Sequence, residues 1–219
     1  MTGSGDRAPM TKMPKTPSTL VIACGALARE LIDIRDRNEW IDMDITCVPA
    51  KLHYRPQGII PAMQTKIHAA RGKYTRIIAL MADCGTGGGL DVMLEEEGVE
   101  RIAGAHCYEF FAGSERFEAI TNDDPTAFYL TDFLVRNFQK LVIEILGIDK
   151  HPELEAIYFG NYTRMVYLAQ TDDDDLKAQA RAAADRLGLA YEYHFTGLGP
   201  VQDFLSAARI RNPHAETAA

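Results

Sequence analysis

The sequence predicts an α/β protein built on a Rossmann-like open, mostly parallel sheet with helices on both faces. Short apolar runs alternate with amphipathic helical patterns, which is the signal of βαβ units. Several of these runs end in glycine-containing loops, as tight strand-to-helix turns require. The length of 219 residues favours one domain. We therefore expect a single α/β domain over 18–210, between a leader (1–17) and a tail (211–219) whose compositions predict disorder.

The first part of the chain contains four of these units. Their apolar runs predict strands at 19–24, 43–48, 76–82 and 100–104. Each run is followed by a helical pattern. The first two patterns lie at 26–37 and 57–71, the third ends at about 97, and the fourth begins at 109.

The second part of the chain is less regular. Two further strands are expected at 164–168 and 190–195. Helices are expected at 131–146, 151–160 and 171–187 and again from 200 to 208. Thr131 or Asp132 is a plausible N-cap for the long helix at 131–146. The apolar face of that helix is a candidate surface for a homodimer.

The charge and hydropathy of the chain argue against two classes of binding partner, nucleic acids and membranes. The chain has 31 acidic and 23 basic residues, which argues against nucleic acid, because duplex binding needs a basic footprint. No apolar run approaches the ~20 residues of a membrane span, and no secretory h-region is visible. The expectation is a cytoplasmic protein with no membrane partner. In that compartment cysteines more often bind metals or catalyse reactions than form disulfides.

All four cysteines lie near the end of a predicted strand, at Cys24, Cys47, Cys84 and Cys107. Ligands of open parallel sheets bind outside the carboxyl ends of the strands, so these thiols are expected to converge. Thiolates are soft ligands that suit zinc or an iron–sulfur cluster. Cys47 has no glycine in its loop and is interpreted instead as a small core residue.

Cys84 lies in a glycine-rich loop, Asp83 to Gly89. Gly85, Thr86, Gly87 and Gly88 are candidate cofactor-binding residues, because such backbone turns its N–H groups toward an anion or a thiolate. The loop lacks the lysine of a P-loop, so the sequence gives little support for nucleotide binding. A simple flexible turn is an equal alternative.

Further candidates surround Cys107. The adjacent His106 completes a candidate zinc site with Cys24, Cys84 and Cys107, and His53, expected at the same edge of the sheet, is an alternative fourth ligand. Glu109 is a candidate general acid or base, and Cys84 a candidate nucleophile. The nearby aromatic side chains favour core packing over a pocket wall; they are Tyr108, Phe110, Phe111, Phe128 and Tyr129.

These motifs resemble a known family. Cys24-Gly25, Leu52-His53, the Asp83–Gly87 run and His106-Cys107 are similar to motifs of the domain-of-unknown-function family 1638. Members of that family have one residue between the histidine and the cysteine, which are adjacent here. The chain therefore resembles a divergent subgroup. The resemblance implies an association with corrinoid proteins and methyltransferases of one-carbon metabolism.

Three hypotheses of function follow. The first is a zinc-dependent enzyme, or accessory enzyme, of corrinoid-linked methyl transfer that acts on a small molecule. The second is a non-catalytic protein that carries an iron–sulfur cluster or delivers a corrinoid or a substrate. The third is thiol catalysis without metal, in which Cys84 or Cys107 is the nucleophile.

Overall fold

The computed structural model describes residues 18–102, 104, 106–123 and 125–210. The predicted leader and tail lie outside these residues. All strand pairs are parallel, and helices flank the strands, which confirms the α/β Rossmann-like fold. No helix among the described residues is both long and apolar enough to cross a membrane.

Hydrogen bonding divides the strands into two sheets. The first sheet has the order β2-β1-β3-β4 and the second has the order β5-β6-β7. The strands are β1 Thr19–Cys24, β2 Met43–Val48, β3 Arg76–Leu80, β4 Glu100–Arg101, β5 Ala127–Thr131, β6 Arg164–Ala169 and β7 Ala190–Phe195. We call residues 18–112 together with the last helix the first half, and residues 113–198 the second half.

Helices connect the strands in both halves. They are α1 Ala28–Arg37, α2 Ile59–Ala70, α3 Gly89–Glu96, α4 Cys107–Ala112, α5 Ser114–Asp123, α6 Asp132–Arg136, α7 Leu154–Phe159, α8 Asp174–Arg186 and α9 Gly199–Ile210. Every residue of β1 is buried, as expected for a central parallel strand that is covered on both faces.

The last helix returns to the first half. Val201 and Leu205 of α9 belong to the same buried cluster as β1, α1 and α2. Arg76 of β3 donates a hydrogen bond to the carbonyl of Ala208, and Arg209 pairs with Asp42 at 2.8 Å. The chain therefore passes from the first half to the second and back again.

The sequence predicts one helix at 131–146, whereas the structure has a strand that ends at 131 and then two separate helical segments. Residues Ala127–Thr131 form β5, α6 ends at Arg136, and Gln139–Glu144 form a π-helical segment. The Thr131 side chain accepts a hydrogen bond from the N–H of Leu134 and caps α6, as the sequence indicated. Val142 and Ile143 are buried within the second half, so this part of the apolar face is used inside the chain.

Candidate functional site

Three cysteines of the first half lie near the carboxyl ends of β1 and β3. Cys24 is the last residue of β1, Cys84 follows β3, and Cys107 is the first residue of α4. A charge on Cys84 raises the pKa of Cys24, and charges on Cys24 and Cys84 raise that of Cys107. Cys47 raises the pKa of Cys24 as well, so this coupling links Cys24 to each of the other three thiols and not to the predicted ligands alone.

The surroundings keep these thiols protonated. Burial is the main cause that raises the pKa of Cys24 to about 12 and that of Cys84 to about 11. The pKa of Cys107 is raised in the same direction and for the same reason. The guanidinium of Arg101 lowers the pKa of Cys84, but burial outweighs it. Thiolates here need an added positive charge, such as a bound metal ion.

The loop after β3 holds Cys84 in a left-handed conformation. Its φ is 51°, a value that costs a non-glycine residue about 1–3 kcal/mol and that clusters at functional sites. The Asp83 carboxylate accepts hydrogen bonds from the N–H groups of Gly87 at 3.1 Å and Gly88 at 2.8 Å, and from the Thr86 hydroxyl. These donors lower the pKa of Asp83. An external anion at the predicted cofactor loop would compete with Asp83 for them.

The two predicted histidine ligands have different environments. Nδ1 of His53 lies 2.8 Å from the carbonyl oxygen of Ala50. The carbonyl can only accept, so Nδ1 donates, and in the neutral ring Nε2 carries the free lone pair, as in many metal-binding histidines. His106 is exposed, and its ring lies 6.4 Å from those of Tyr108 and Phe117. The Glu109 carboxylate lies beside Gly104.

A cavity of about 250 Å³ separates the two halves at the ends of the strands. Cys107 and His53 line it from the first half, and Thr131, the last residue of β5, lines it from the second. Its described wall consists of Ala26, Ala50, His53, Tyr54, Cys107, Tyr108, Phe128, Thr131, Phe133, Leu134, Leu141, Val142 and Leu146.

The aromatic residues divide between this wall and the core. Phe110 and Phe111 are buried in the first half, as expected, whereas Tyr108 and Phe128 line the cavity. Tyr54 also lines it and donates a hydrogen bond across the cavity mouth to the carbonyl of Leu141 in the π-helical segment. Larger but more open depressions lie at the amino end of β3 beside Arg71 and Glu97, and beside Gly85 and Thr86 of the loop that follows Cys84.

The thiols and His53 suit a soft metal ion by their chemistry, because they supply sulfur and nitrogen donors with no counter-ion of their own. Within the described part of the chain, however, no three His, Cys, Asp or Glu side chains form a preassembled metal-binding group. The zinc ligands therefore stay a prediction.

Comparison with known proteins identifies the family. The model described as "Protein of unknown function (DUF1638)" matches residues 47–205. The chain belongs to this family. No curated protein and no solved structure matches it. The DUF1638 match includes His53, Cys84, His106 and Cys107, whereas Cys24 on β1 lies before it.

The sequence indicated only a possible helix cap for one buried group of this DUF1638 chain. Asp132, next to Thr131, is fully buried and accepts hydrogen bonds from the Tyr167 hydroxyl at 2.7 Å, from the N–H groups of Gln170 and Thr171 at 3.0 Å each, and from the Thr171 hydroxyl. It thereby ties the end of β5 to the end of β6. The only sequence signal is an aspartate after an apolar run, which equally predicts a helix cap.

Proposed function

We propose that the chain is a zinc-dependent enzyme, or accessory enzyme, of one-carbon transfer that acts on a small molecule in the cavity. Cys24, Cys84 and Cys107 would hold the metal, and His53 would supply a nitrogen donor through Nε2. The observation that carries the proposal is the group of electrostatically coupled thiols near the strand ends, one of which, Cys107, lines the cavity. A bound zinc would hold a thiolate as a nucleophile or leave a coordination position open for the substrate.

The residues of the chain have separate roles in this proposal. The cysteine side chains are neutral until the metal displaces their protons. The hydrogen bond to Ala50 keeps the His53 ring in the tautomer that a ligand needs. The apolar wall excludes water from the reacting group. A corrinoid exceeds the drug-sized ligands that fill pockets of roughly 300–1,000 Å³, so it would contact the protein outside this cavity.

Metal-free thiol catalysis is the weaker alternative. A cysteine nucleophile needs a lowered pKa, whereas the pKa of Cys24 and that of Cys84 are raised to about 12 and about 11. A reaction that uses these thiols at neutral pH therefore needs a cation beside them.

Metal analysis of protein purified without an affinity tag tests the proposal. We expect about one equivalent of zinc in the wild type and less than about a tenth in Cys24→Ser, Cys84→Ser and Cys107→Ser. Cys47→Ser is the matched control, because Cys47 packs against the same core and lies outside the proposed ligand set; it should keep its metal. His53→Ala should lower the content and His106→Ala should not.

Two results would overturn the assignment. One is a wild-type protein that has less than about a tenth of an equivalent of any metal. The other is a metal content that is the same in the wild type and in all three cysteine variants. A brown, iron-containing protein after anaerobic purification would replace zinc with an iron–sulfur cluster.

A further inference from the structure

The wall of the cavity defines the kind of molecule that it can hold. Eight of the thirteen described lining residues have alanine, leucine, valine or phenylalanine side chains. No aspartate, glutamate, lysine or arginine is among these residues. A charged ligand would lose its hydration here without gaining an ion pair from the described wall, which costs several kcal/mol.

Three hydroxyl groups interrupt this apolar surface, and that of Tyr54 already donates its proton to the carbonyl of Leu141. Thr131 is 5% exposed, and its hydroxyl oxygen accepts the N–H of Leu134. That bond uses the oxygen as acceptor and leaves its proton available. The Tyr108 hydroxyl makes no hydrogen bond to the described residues, and a tyrosine hydroxyl is a neutral donor at neutral pH.

Two neighbouring aromatic rings hold the Tyr108 ring in place. Its centroid lies 5.3 Å from that of Tyr129 and 6.3 Å from that of Phe117. Phe128 is similarly fixed by Phe159, in an edge-to-face contact at 5.2 Å. This packing makes that part of the wall rigid before any ligand arrives, and preformed apolar sites bind small molecules at low conformational cost.

We infer that the cavity binds a compact, neutral, mostly apolar molecule with one hydrogen-bond acceptor, an oxygen or a sulfur, that receives the hydroxyl protons of Tyr108 and Thr131. This inference gives the substrate class of the proposed function. Any catalytic role of the bound molecule rests on that function. The binding itself depends on the cavity wall. The acceptor end of the molecule lies next to Cys107, because Cys107 and Tyr108 are consecutive in the wall.

Calorimetric titration with four ring-sized probes tests the inference on the protein as purified and again after chelation of metals. Acetophenone is neutral and has an acceptor, toluene is neutral without one, and benzoate and benzylammonium carry opposite charges. We expect acetophenone to bind most tightly, and each charged probe to bind at least about tenfold more weakly. Tyr108→Phe should lower the affinity for acetophenone to that for toluene and leave toluene binding unchanged.

Cavity filling provides a second variant. Val142→Phe places extra atoms into the cavity and should abolish probe binding, whereas the same change at Val92, which is 58% exposed, should not. Circular dichroism shows whether each variant is folded. If Val142→Phe does not fold, the comparison of Tyr108→Phe with the wild type decides alone.

The inference is overturned if a charged probe binds as tightly as acetophenone, if no probe binds, or if the folded Val142→Phe variant binds normally. Preferred binding of benzylammonium would indicate a cation site made by the aromatic rings instead. These experiments measure the binding of probes and not the metal content. Failure of the zinc proposal is therefore distinguishable from failure of this inference.

Discussion

Strands β1 and β3 of the first half lead to thiols, whereas β5 and β6 of the second half end in the hydrogen-bond network of Asp132. Cys107 of the first half and Thr131, at the end of β5, line the same cavity. In the first half Cys24 is buried and Cys84 and Cys107 are half-buried, and no cation outweighs the burial that raises the pKa of Cys24 and that of Cys84. In the second half each oxygen of Asp132 accepts at least two hydrogen bonds. The difference indicates that the first half supplies the candidate ligands of the proposed site, whereas Asp132 stabilises the second half.

We expect the largest effect on stability when the hydrogen-bond network of Asp132 in the second half is removed. Asp132→Ala leaves the Tyr167 hydroxyl, two backbone N–H groups and the Thr171 hydroxyl without their acceptor. We expect a loss of about 3–5 kcal/mol in the free energy of unfolding, measured by urea denaturation. Asp185→Ala, at an exposed position of α8, is the control and should change stability by less than about 0.5 kcal/mol. A loss below about 1 kcal/mol in Asp132→Ala would contradict this assignment.

The second prediction concerns the reactivity of the thiols in the first half. Because burial raises their pKa, the thiols of the folded, metal-free protein should react with iodoacetamide more slowly at pH 8 than in the unfolded chain, Cys84 about 100-fold and Cys24 about 1,000-fold. The rate should increase about tenfold per pH unit up to about pH 11 for Cys84 and about pH 12 for Cys24. Mass spectrometry of the labelled peptides measures it. Rapid labelling of Cys84 or Cys107 at pH 7 would instead support thiol catalysis without metal.

The third prediction concerns Glu30 on α1, which connects the two halves electrostatically. It is 6% exposed, and its Oε2 has no hydrogen-bond partner in the described structure. Burial is the main cause that raises its pKa; Asp132 raises it further, whereas Arg136 and Arg29 lower it. The folded state therefore holds this proton at pH values at which the unfolded chain has lost it. Stability falls as the pH rises above about 4.5, the ordinary value, and through the raised pKa.

Glu30→Gln removes this dependence. We expect the variant to be more stable than the wild type at pH 7, by about 1–3 kcal/mol, and equal to it near pH 4. Thermal unfolding across this pH range measures the difference. The exposed Glu118→Gln variant should follow the wild type at every pH. A constant difference between Glu30→Gln and the wild type would show that the carboxyl group does not titrate as described.

Much of the first half was predictable because its signals are local. The alternation of apolar runs and amphipathic helices placed β1, β2 and β3 correctly to within two residues, and the glycines after Cys84 marked a real left-handed turn. The rule that parallel strands end at one edge predicts that Cys24, Cys84 and Cys107 converge, and their convergence on one metal stays a prediction.

The second half was harder to predict because its features depend on distant partners. Phe128-Tyr129-Leu130 is too short to be distinguished from the start of the following helix, and its strand character comes from pairing with β6. The helix interruption near Asn137 leaves the apolar periodicity nearly unchanged. The role of Asp132 depends on Tyr167 and Thr171, which are 35 and 39 residues away. The division into two sheets has no local signal at all.

The return of α9 to the first half has a consequence for biosynthesis. Val201 and Leu205 reach the first core only after nearly the whole chain has left the ribosome. Chains are made at about 5–20 residues per second, and amino-terminal domains generally fold first. The part of the first core that Val201 and Leu205 cover therefore stays open until α9 has been made. A stop codon shortly after residue 198 would therefore damage the half of the protein that was made first.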